Sequence, residues 1–110
     1  MKHDNTRIYR RSLDLVALAK RVLEQLPTGY GFLADQLRRA SSSICLNFAE
    51  GYSKPSLRDQ RRFFAIARAS AYEVSAIFDV AHQFGVIDDA DHAQGKDLCD
   101  HHAAMLTRFR

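Results

Sequence analysis

Three short breaks divide the chain into four segments, and each segment has the spacing of an amphipathic helix. The breaks fall at residues 27–31, 51–56 and 85–88, where Gly, Pro and other turn-forming residues are concentrated. Proline cannot continue a helix, and Gly51 and Gly85 suit the left-handed conformation that follows a helix end. Between the breaks, apolar residues recur every three or four positions, which is the period of a helix that packs one face on a core.

This periodicity predicts an all-α fold with the architecture of an antiparallel up-down-up-down four-helix bundle. We expect residues 1–110 to form a single domain, with Ser56 and Asp88 as the N-caps of the third and fourth helices. The expected core residues are Ile8, Leu15, Leu18, Ala19, Val22 and Leu26 in the first segment; Leu33, Leu37, Ala40, Ile44 and Phe48 in the second; Phe63, Ala67, Ser70, Val74, Ile77 and Ala81 in the third; and Leu98, His102, Met105 and Phe109 in the fourth.

The sequence lacks the patterns of several kinds of segment and site, namely disulfides, membrane spans, signal peptides, and metal or catalytic centres. Cys45 and Cys99 form no close motif, so we expect reduced thiols in a cytoplasmic protein, with Cys45 a small buried apolar residue. No apolar run reaches the length of a membrane span, and the first residues lack the pattern of a signal peptide. No phosphate loop, zinc spacing or catalytic triad is visible, so we expect no catalytic residue, metal or cofactor. We expect His102, on the apolar face, to be a hydrogen-bonded core or interface residue.

Positive charge is concentrated in the first part of the sequence. Residues 1–68 hold thirteen Lys and Arg against six Asp and Glu, a charge of +7, whereas residues 69–110 carry a charge of −4. In the predicted bundle, the start of the first helix, the end of the second, the start of the third and the end of the fourth meet at one end. The basic residues that this topology gathers there are Arg7, Arg10, Arg11, Lys54, Arg58, Arg61, Arg62, Arg108 and Arg110. The opposite end receives Glu24, Asp79, Asp88, Asp89 and Asp91.

Two interpretations of this basic end remain open. Arg58, Arg61 and Arg62 lie near the start of the third helix, where the helix dipole disfavours cations, and this placement suggests a partner that supplies negative charge. Phosphate is the natural candidate, because arginine binds it with two parallel hydrogen bonds. Alternatively, the arginines solvate the end of the bundle or pair with acids of a neighbouring subunit.

More apolar surface is present than one bundle needs. Tyr9, Val16 and Leu23 widen the apolar face of the first helix, and three alanines at positions 65, 69 and 76 lie on the back of the third. Such surplus indicates self-association, unless the first helix is simply buried more deeply than the others.

A motif in the second segment resembles a known family. The stretch from Gln36 to Gly51, QLRRASSSICLNFAEG, is similar to the signature of the four-helix-bundle proteins that are encoded in ribosomal-RNA intervening sequences. A second similar stretch, FFAIARASAYE, runs from Phe63 to Glu73. The resemblance spans nearly the whole chain, although the first and fourth segments match only in pattern.

The resemblance implies an architecture but leaves the function open. It implies an antiparallel bundle that assembles into a ring-shaped homopentamer without established enzymatic activity. A related branch is the accessory protein of diversity-generating retroelements, a basic pentamer that binds nucleic acid and a reverse transcriptase. The partners to expect are therefore other copies of the chain, RNA or DNA, and a protein such as a reverse transcriptase.

The residues of the motif themselves are best explained by packing or assembly. The small and polar side chains lie beside the apolar face, where they allow close helix contacts and internal hydrogen bonds. We expect Glu50 and Glu73 to be partly buried and paired with Arg38, Arg39 or Asn47. A role as paired catalytic carboxylates is disfavoured, because no nucleophile accompanies them. The residues assigned to packing or assembly are Gln36, Arg38, Arg39, Ser43, Asn47, Glu50, Gly51 and Glu73.

The sequence therefore favours a non-enzymatic, self-assembling bundle with an accessory role in nucleic-acid binding through its basic end. The alternative is a structural or protein-adaptor ring whose charges serve contacts between subunits or with a protein partner. An enzyme is the least favoured class.

Overall fold

Four α-helices form the body of the protein in the computed structural model, which describes residues 1–109. The helices are α1 (Arg7–Gln25), α2 (Gly31–Ser53), α3 (Leu57–Gln83) and α4 (Asp89–Arg108). A short 3₁₀ helix, Lys2–Asn5, precedes them, and the described residues include no β-strand. Each helix packs on the next, and α4 packs back on α1. The chain is thus an antiparallel four-helix bundle of 44 × 22 × 20 Å, which confirms the predicted fold class.

Local signals place most helix ends where the sequence predicts them. The hydroxyl of Ser56 accepts a hydrogen bond from the backbone N–H of Asp59 at 3.2 Å, and the carboxylate of Asp88 accepts one from Asp91 at 2.7 Å. Both side chains cap a helix N-terminus, as expected. Gly85 follows α3 with φ of +73°, which is the left-handed conformation that glycine adopts most readily.

The second break begins later than predicted, because Gly51 lies inside α2 and does not terminate it. A Cβ atom at Gly51 would lie only 2.8 Å from the Cβ of Phe63 and from the ring of Phe64. The residue is buried, and α2 continues to Ser53. The glycine is therefore needed for the close approach of α2 to α3 and not for a turn.

The predicted core faces of α1 and α2 are confirmed, and that of α3 needs one correction. All predicted residues of α2 are buried, and those of α1 are buried except Leu26, which is half-buried against the core. On α3, Phe64 and not Phe63 is buried. Its ring stacks on the ring of Phe48 with centroids 5.3 Å apart, so the aromatic contact between α2 and α3 selects which phenylalanine faces inward.

The predicted core face of α4 is confirmed only in part, because its fully buried side is turned by about one position from most of the predicted residues. Leu98, Met105 and Phe109 are half-buried against the core, and only His102 of the predicted set is fully buried. The residues that face the core are Asp91, Gly95, Cys99, His102, Ala103 and Leu106. A Cβ atom at Gly95 would lie 2.4 Å from the ring of Phe78, so the helix approaches α3 through its glycine. Close packing at this small residue overrides the preference for larger apolar side chains.

Both thiols are free and buried, and the burial of Cys45 confirms the prediction for that residue. Burial raises the pKa of Cys45 to about 11 and that of Cys99 to about 12. The two side chains therefore stay protonated at neutral pH and act as small apolar residues of the core.

His102 is a hydrogen-bonded core residue, as predicted. Its Nε2 atom lies 2.7 Å from the hydroxyl oxygen of Ser12, and neither residue is exposed to solvent. The Ser12 hydroxyl also donates to the carbonyl oxygen of Ile8 at 2.9 Å. Because the hydroxyl has one hydrogen, this geometry assigns the ring proton to Nε2, which leaves Nδ1 as a buried acceptor without a partner among the described residues.

None of the helices within residues 1–109 combines the length and the apolar character needed to cross a bilayer.

Candidate functional site

The basic pole is the end of the bundle where α1 and α3 begin and α2 and α4 end. A small cluster of buried residues, separate from the main core, joins these four helix ends. Each helix contributes to it, and half-buried aromatic rings pack against it. Its members include Ile8, Phe48, Phe64 and Leu106. The side chains that the pole brings together are Arg7, Arg10, Arg11, Lys54, Arg58, Arg61, Arg62 and Arg108. Arg110, the ninth predicted residue, lies outside the described residues.

Most of the charges at the basic pole have no carboxylate partner within residues 1–109. Arg11 pairs with Asp14 at 3.3 Å, and Lys54 pairs with Glu50 at 3.2 Å. The exposed guanidinium groups that form no such ion pair are those of Arg7, Arg10, Arg58, Arg61, Arg62 and Arg108. Like charges at this density produce a positive potential that attracts anions.

An aromatic ring positions two of these cations at the start of α3. The Arg62 guanidinium lies 4.6 Å from the centroid of the Phe63 ring, and the Lys54 ammonium lies 5.3 Å from it. Cation–π attraction holds both groups against the half-buried ring without neutralising their charge. Phe63 therefore belongs to the basic pole, although periodicity assigned it to the core.

A basic groove of about 290 Å³ lies between α1 and α4. Arg7, Arg11 and Arg108 line it together with His101 and Met105. Three residues that the sequence assigned separately to the first and last helices therefore converge on one concave surface. His101 was not among the predicted residues of the pole, although its position one turn before Met105 on α4 places it on this face.

The opposite end of the bundle, the acidic pole, has paired charges. Asp79 accepts from Lys96 and His92, both at 2.8 Å, and these hydrogen bonds, with that from Lys96 the larger, lower the pKa of its carboxyl. His82 lies 2.7 Å from Asp89 and lowers its pKa in the same way.

A further pair at the acidic pole involves a carboxylate that is buried. Asp91 accepts a hydrogen bond of 2.7 Å from Arg21, which joins α4 to α1. Lys96 and Arg21 thus neutralise the charges of Asp79 and Asp91 at the acidic pole, whereas most cations of the basic pole have no carboxylate partner within residues 1–109. The acidic residues of this pole were predicted from the sequence, but their partners were not, because those partners come from other helices or other turns.

The motif of α2 forms a polar seam with α3. The hydroxyls of Ser43 and Ser70 lie 2.9 Å apart, and the amide of Asn47 donates to both the carbonyl and the hydroxyl of Ser43 at 2.9 Å. These small side chains satisfy one another while the two helices pack closely. Ser43 and Asn47 therefore have the structural role that their position on the helix predicts.

The charged residues of the motif lie outside this seam. Glu73 pairs with Arg39 at 3.0 Å, which confirms that partner, and Arg38 pairs with Asp35 at 3.2 Å. The expected partial burial is wrong for both glutamates, since the side chains of Glu50 and Glu73 are 51% and 43% exposed in this chain. Gln36 is also exposed.

Comparison with known protein families identifies the relatives of this bundle. The family model for the 23S rRNA-intervening sequence protein matches residues 4–108, which is nearly the whole chain. The chain belongs to this family. None of the curated proteins matches it.

In this intervening-sequence protein, the Arg39–Glu73 pair gives a small and measurable contribution to stability. We expect Glu73→Gln to lower the free energy of unfolding by about 0.2–1 kcal/mol, because both side chains are exposed to solvent. Chemical denaturation measures this difference. Arg39→Gln should have the same effect, and the double variant should add nothing further. A loss well above this range together with a smaller oligomer would show that assembly buries the pair.

Proposed function

We propose that this intervening-sequence protein is a non-enzymatic, self-assembling protein that binds nucleic acid through its basic pole, in an accessory role. One observation carries the proposal: six exposed arginines gather at one end of the bundle without carboxylate partners among residues 1–109, whereas Asp79 and Asp91 at the other end pair with Lys96 and Arg21. The accessibility of the six arginines fits an external polyanion.

The chemistry of the side chains favours phosphate as the anion. Guanidinium groups match two phosphate oxygens at once, and the α1–α4 groove presents three of them on one concave surface. Arg58, Arg61 and Arg62 add to the positive end of the α3 dipole. Contacts of this kind bind the backbone of DNA or RNA with little dependence on base sequence.

Self-assembly into a pentameric ring would strengthen this binding. Exposed apolar side chains on the outer surfaces of α2 and α3, among them Leu46, Ile66 and Tyr72, are suited to contacts between copies. If the copies pack with parallel axes, every basic pole lies on one rim, and the potentials add. A cytoplasmic location, which the free thiols suggest, and a relation to the retroelement accessory proteins, with a reverse transcriptase as partner, both stay predictions.

The proposal is tested by salt-dependent binding to unrelated single-stranded and duplex DNA and RNA. We expect binding whose logarithmic affinity falls steeply with salt. The variant Arg58→Ala/Arg61→Ala/Arg62→Ala should reduce that slope by about 2–3, the loss of three phosphate contacts. Fluorescence anisotropy over a range of salt concentrations measures the slope.

The matched control removes the same charge far from the basic pole. Lys20→Glu combined with Gln25→Glu also lowers the net charge by three, on exposed residues near the end of α1 at the acidic pole. This control should keep the wild-type slope apart from a small long-range effect. Equal losses in both variants, or no wild-type binding at physiological salt, would contradict the proposal.

A cluster of aromatic rings at the acidic pole favours the alternative of a structural or protein-adaptor ring. Phe32 and Phe84 are 53% and 55% exposed, and both rings lie against Tyr30 with centroids about 6 Å away. An exposed aromatic cluster of this kind suits a protein partner. An adaptor would show no nucleic-acid binding at physiological salt, so the same titration separates the two functions.

A further inference from the structure

A second groove at the basic pole, between the start of α3 and the end of α4, differs in chemistry from the α1–α4 groove. Its volume is about 350 Å³, within the range of about 300–1,000 Å³ that is typical of small-ligand sites. Leu57, Phe64, Leu106 and Phe109 supply apolar surface to it, and Arg61 and Arg68 also line it. It therefore combines an apolar lining with two cations.

The aromatic part of the groove is held in place by the core. The ring of Phe64 stacks on Phe48 with centroids 5.3 Å apart and meets the ring of Phe109 nearly edge-on at 5.2 Å. The rings of Phe109 and Tyr52 also lie together, with centroids 5.9 Å apart. The rings form one connected cluster, so the groove is a surface of the folded bundle and does not need a ligand to assemble it.

The charged part of the groove is free to bind an anion. Arg61 pairs with no carboxylate of residues 1–109, and no acidic side chain lines the groove. Arg68 donates to the hydroxyl of Tyr72 at 3.0 Å, and its guanidinium lies 5.1 Å from the Tyr72 ring. This contact restrains Arg68 without cancelling its charge.

We infer that this groove takes an unpaired base of a single-stranded nucleic acid, with the adjoining phosphate bound by Arg61 or Arg68. The inference rests on the proposed function and specifies its ligand. A flat aromatic base matches an apolar and aromatic lining, and single-strand binding sites combine such stacking surfaces with cations that bind the backbone. In a duplex, the bases are stacked and paired, so they do not reach a groove of this kind.

The two grooves at the basic pole have separate roles in this scheme. The α1–α4 groove has three arginines and no aromatic ring among its lining residues other than the imidazole of His101, so it suits the phosphate backbone alone. The α3–α4 groove adds contacts that only an exposed base provides. Both are lined by the last turns of α4, from Ala104 to Phe109, so one strand crossing the pole could occupy both.

The test partly fills the groove without changing its charge. Ala65, exposed on α3, lines the groove, and Ala65→Leu would occupy part of its space with an aliphatic side chain on which a base cannot stack. The matched control is Ala93→Leu, at an exposed alanine of α4 outside the groove. The probes are a fluorescein-labelled single-stranded oligonucleotide of mixed sequence, its duplex, and an abasic oligonucleotide of the same length.

The wild-type protein should bind the single strand about tenfold more tightly than the abasic oligonucleotide, which is the order of one stacked base. It should also prefer the single strand to the duplex. Ala65→Leu should lower single-strand affinity toward the abasic level while leaving abasic binding unchanged, and Ala93→Leu should behave as wild type. Thermal melts and oligomer mass are recorded for each variant.

The outcomes that overturn the inference are distinct from failure of the proposed function. Equal wild-type binding to all three probes would refute the base site and leave backbone binding intact. Unchanged single-strand affinity in a folded Ala65→Leu protein would also refute it. A smaller oligomer for Ala65→Leu, but not for Ala93→Leu, would assign the groove to a subunit contact. Absence of wild-type binding to every probe would refute the proposed function together with the base site.

Discussion

Acidification from pH 6.5 to pH 4 is expected to lower the free energy of unfolding by about 3 kcal/mol, because His102 is buried in its neutral form. Burial lowers the pKa of this imidazole from 6.5 to about 4. The ring lies between α1 and α4 with no exposed surface, and its one partner is the hydroxyl of Ser12. A proton on Nδ1 would place an uncompensated charge in the core.

The sign of the effect follows from which state binds the proton. Below pH 6.5 the unfolded chain binds a proton at His102, whereas the folded protein does not until the pH approaches 4. The unfolded state therefore holds more protons throughout this window, and stability falls as the pH falls. The carboxyls of Asp79 and Asp89, whose pKa values are lowered from 3.8, lose their contributions only at lower pH.

Urea denaturation at half-unit pH intervals measures this dependence. The control is His102→Gln, whose amide can still donate to Ser12 but does not titrate. We expect this variant to be less stable than wild type at pH 7 and to lose much less stability between pH 6.5 and 4. Equal slopes for the two proteins would show that His102 does not cause the acid sensitivity.

Gly95→Ala is expected to destabilise the bundle by about 1–3 kcal/mol, the usual cost of overpacking a core. Alanine at an exposed position in a helix is normally more favourable than glycine, by about 1 kcal/mol. At this position the added Cβ would lie 2.4 Å and 2.6 Å from two ring atoms of Phe78, which is fully buried. Because the Phe78 ring is fully buried, it cannot move out into solvent to make room for the added methyl group. Helices α3 and α4 must therefore move apart.

Gly31→Ala is the matched control for this prediction. A Cβ atom at Gly31 meets nothing within 4 Å, and the residue is the first of α2. This substitution should leave stability unchanged or raise it slightly. Denaturant unfolding of both variants gives the comparison, and Gly95→Ala matching Gly31→Ala would contradict the packing described for α4.

Local sequence patterns were sufficient to predict the four helices, but they did not predict the buried face of every helix. The N-caps at Ser56 and Asp88 and the apolar faces of α1 and α2 follow from side chains within one or two turns of each other. The predicted buried faces of α3 and α4 differ from the observed ones, because Phe64 and Gly95 are buried by contacts with a neighbouring helix. A helical pattern is recognised from its large apolar residues. In this bundle, α4 comes closest to α3 at a glycine, Gly95, which such a pattern does not include.

The candidate site divides in the same way. Its location at one end of the bundle follows from helix order and the positions of the arginines. Its two grooves and the contribution of His101 do not, because they depend on how α4 lies between α1 and α3. Arg39 is one of three partners that the sequence offers to Glu50 and Glu73, but the sequence does not predict that Glu50 pairs with Lys54 or that both glutamates are exposed, since these depend on the surrounding helices.

By itself, the sequence determined four helices, their antiparallel order and the end at which the basic side chains collect. These properties depend on the helical period, on caps and on loop length, which are set within a few residues. Only the tertiary structure decided which arginines lack partners, which glycines form helix contacts and where the pole is concave. Those properties depend on distances between side chains far apart in the chain, and a shift of one residue around a helix changes them all.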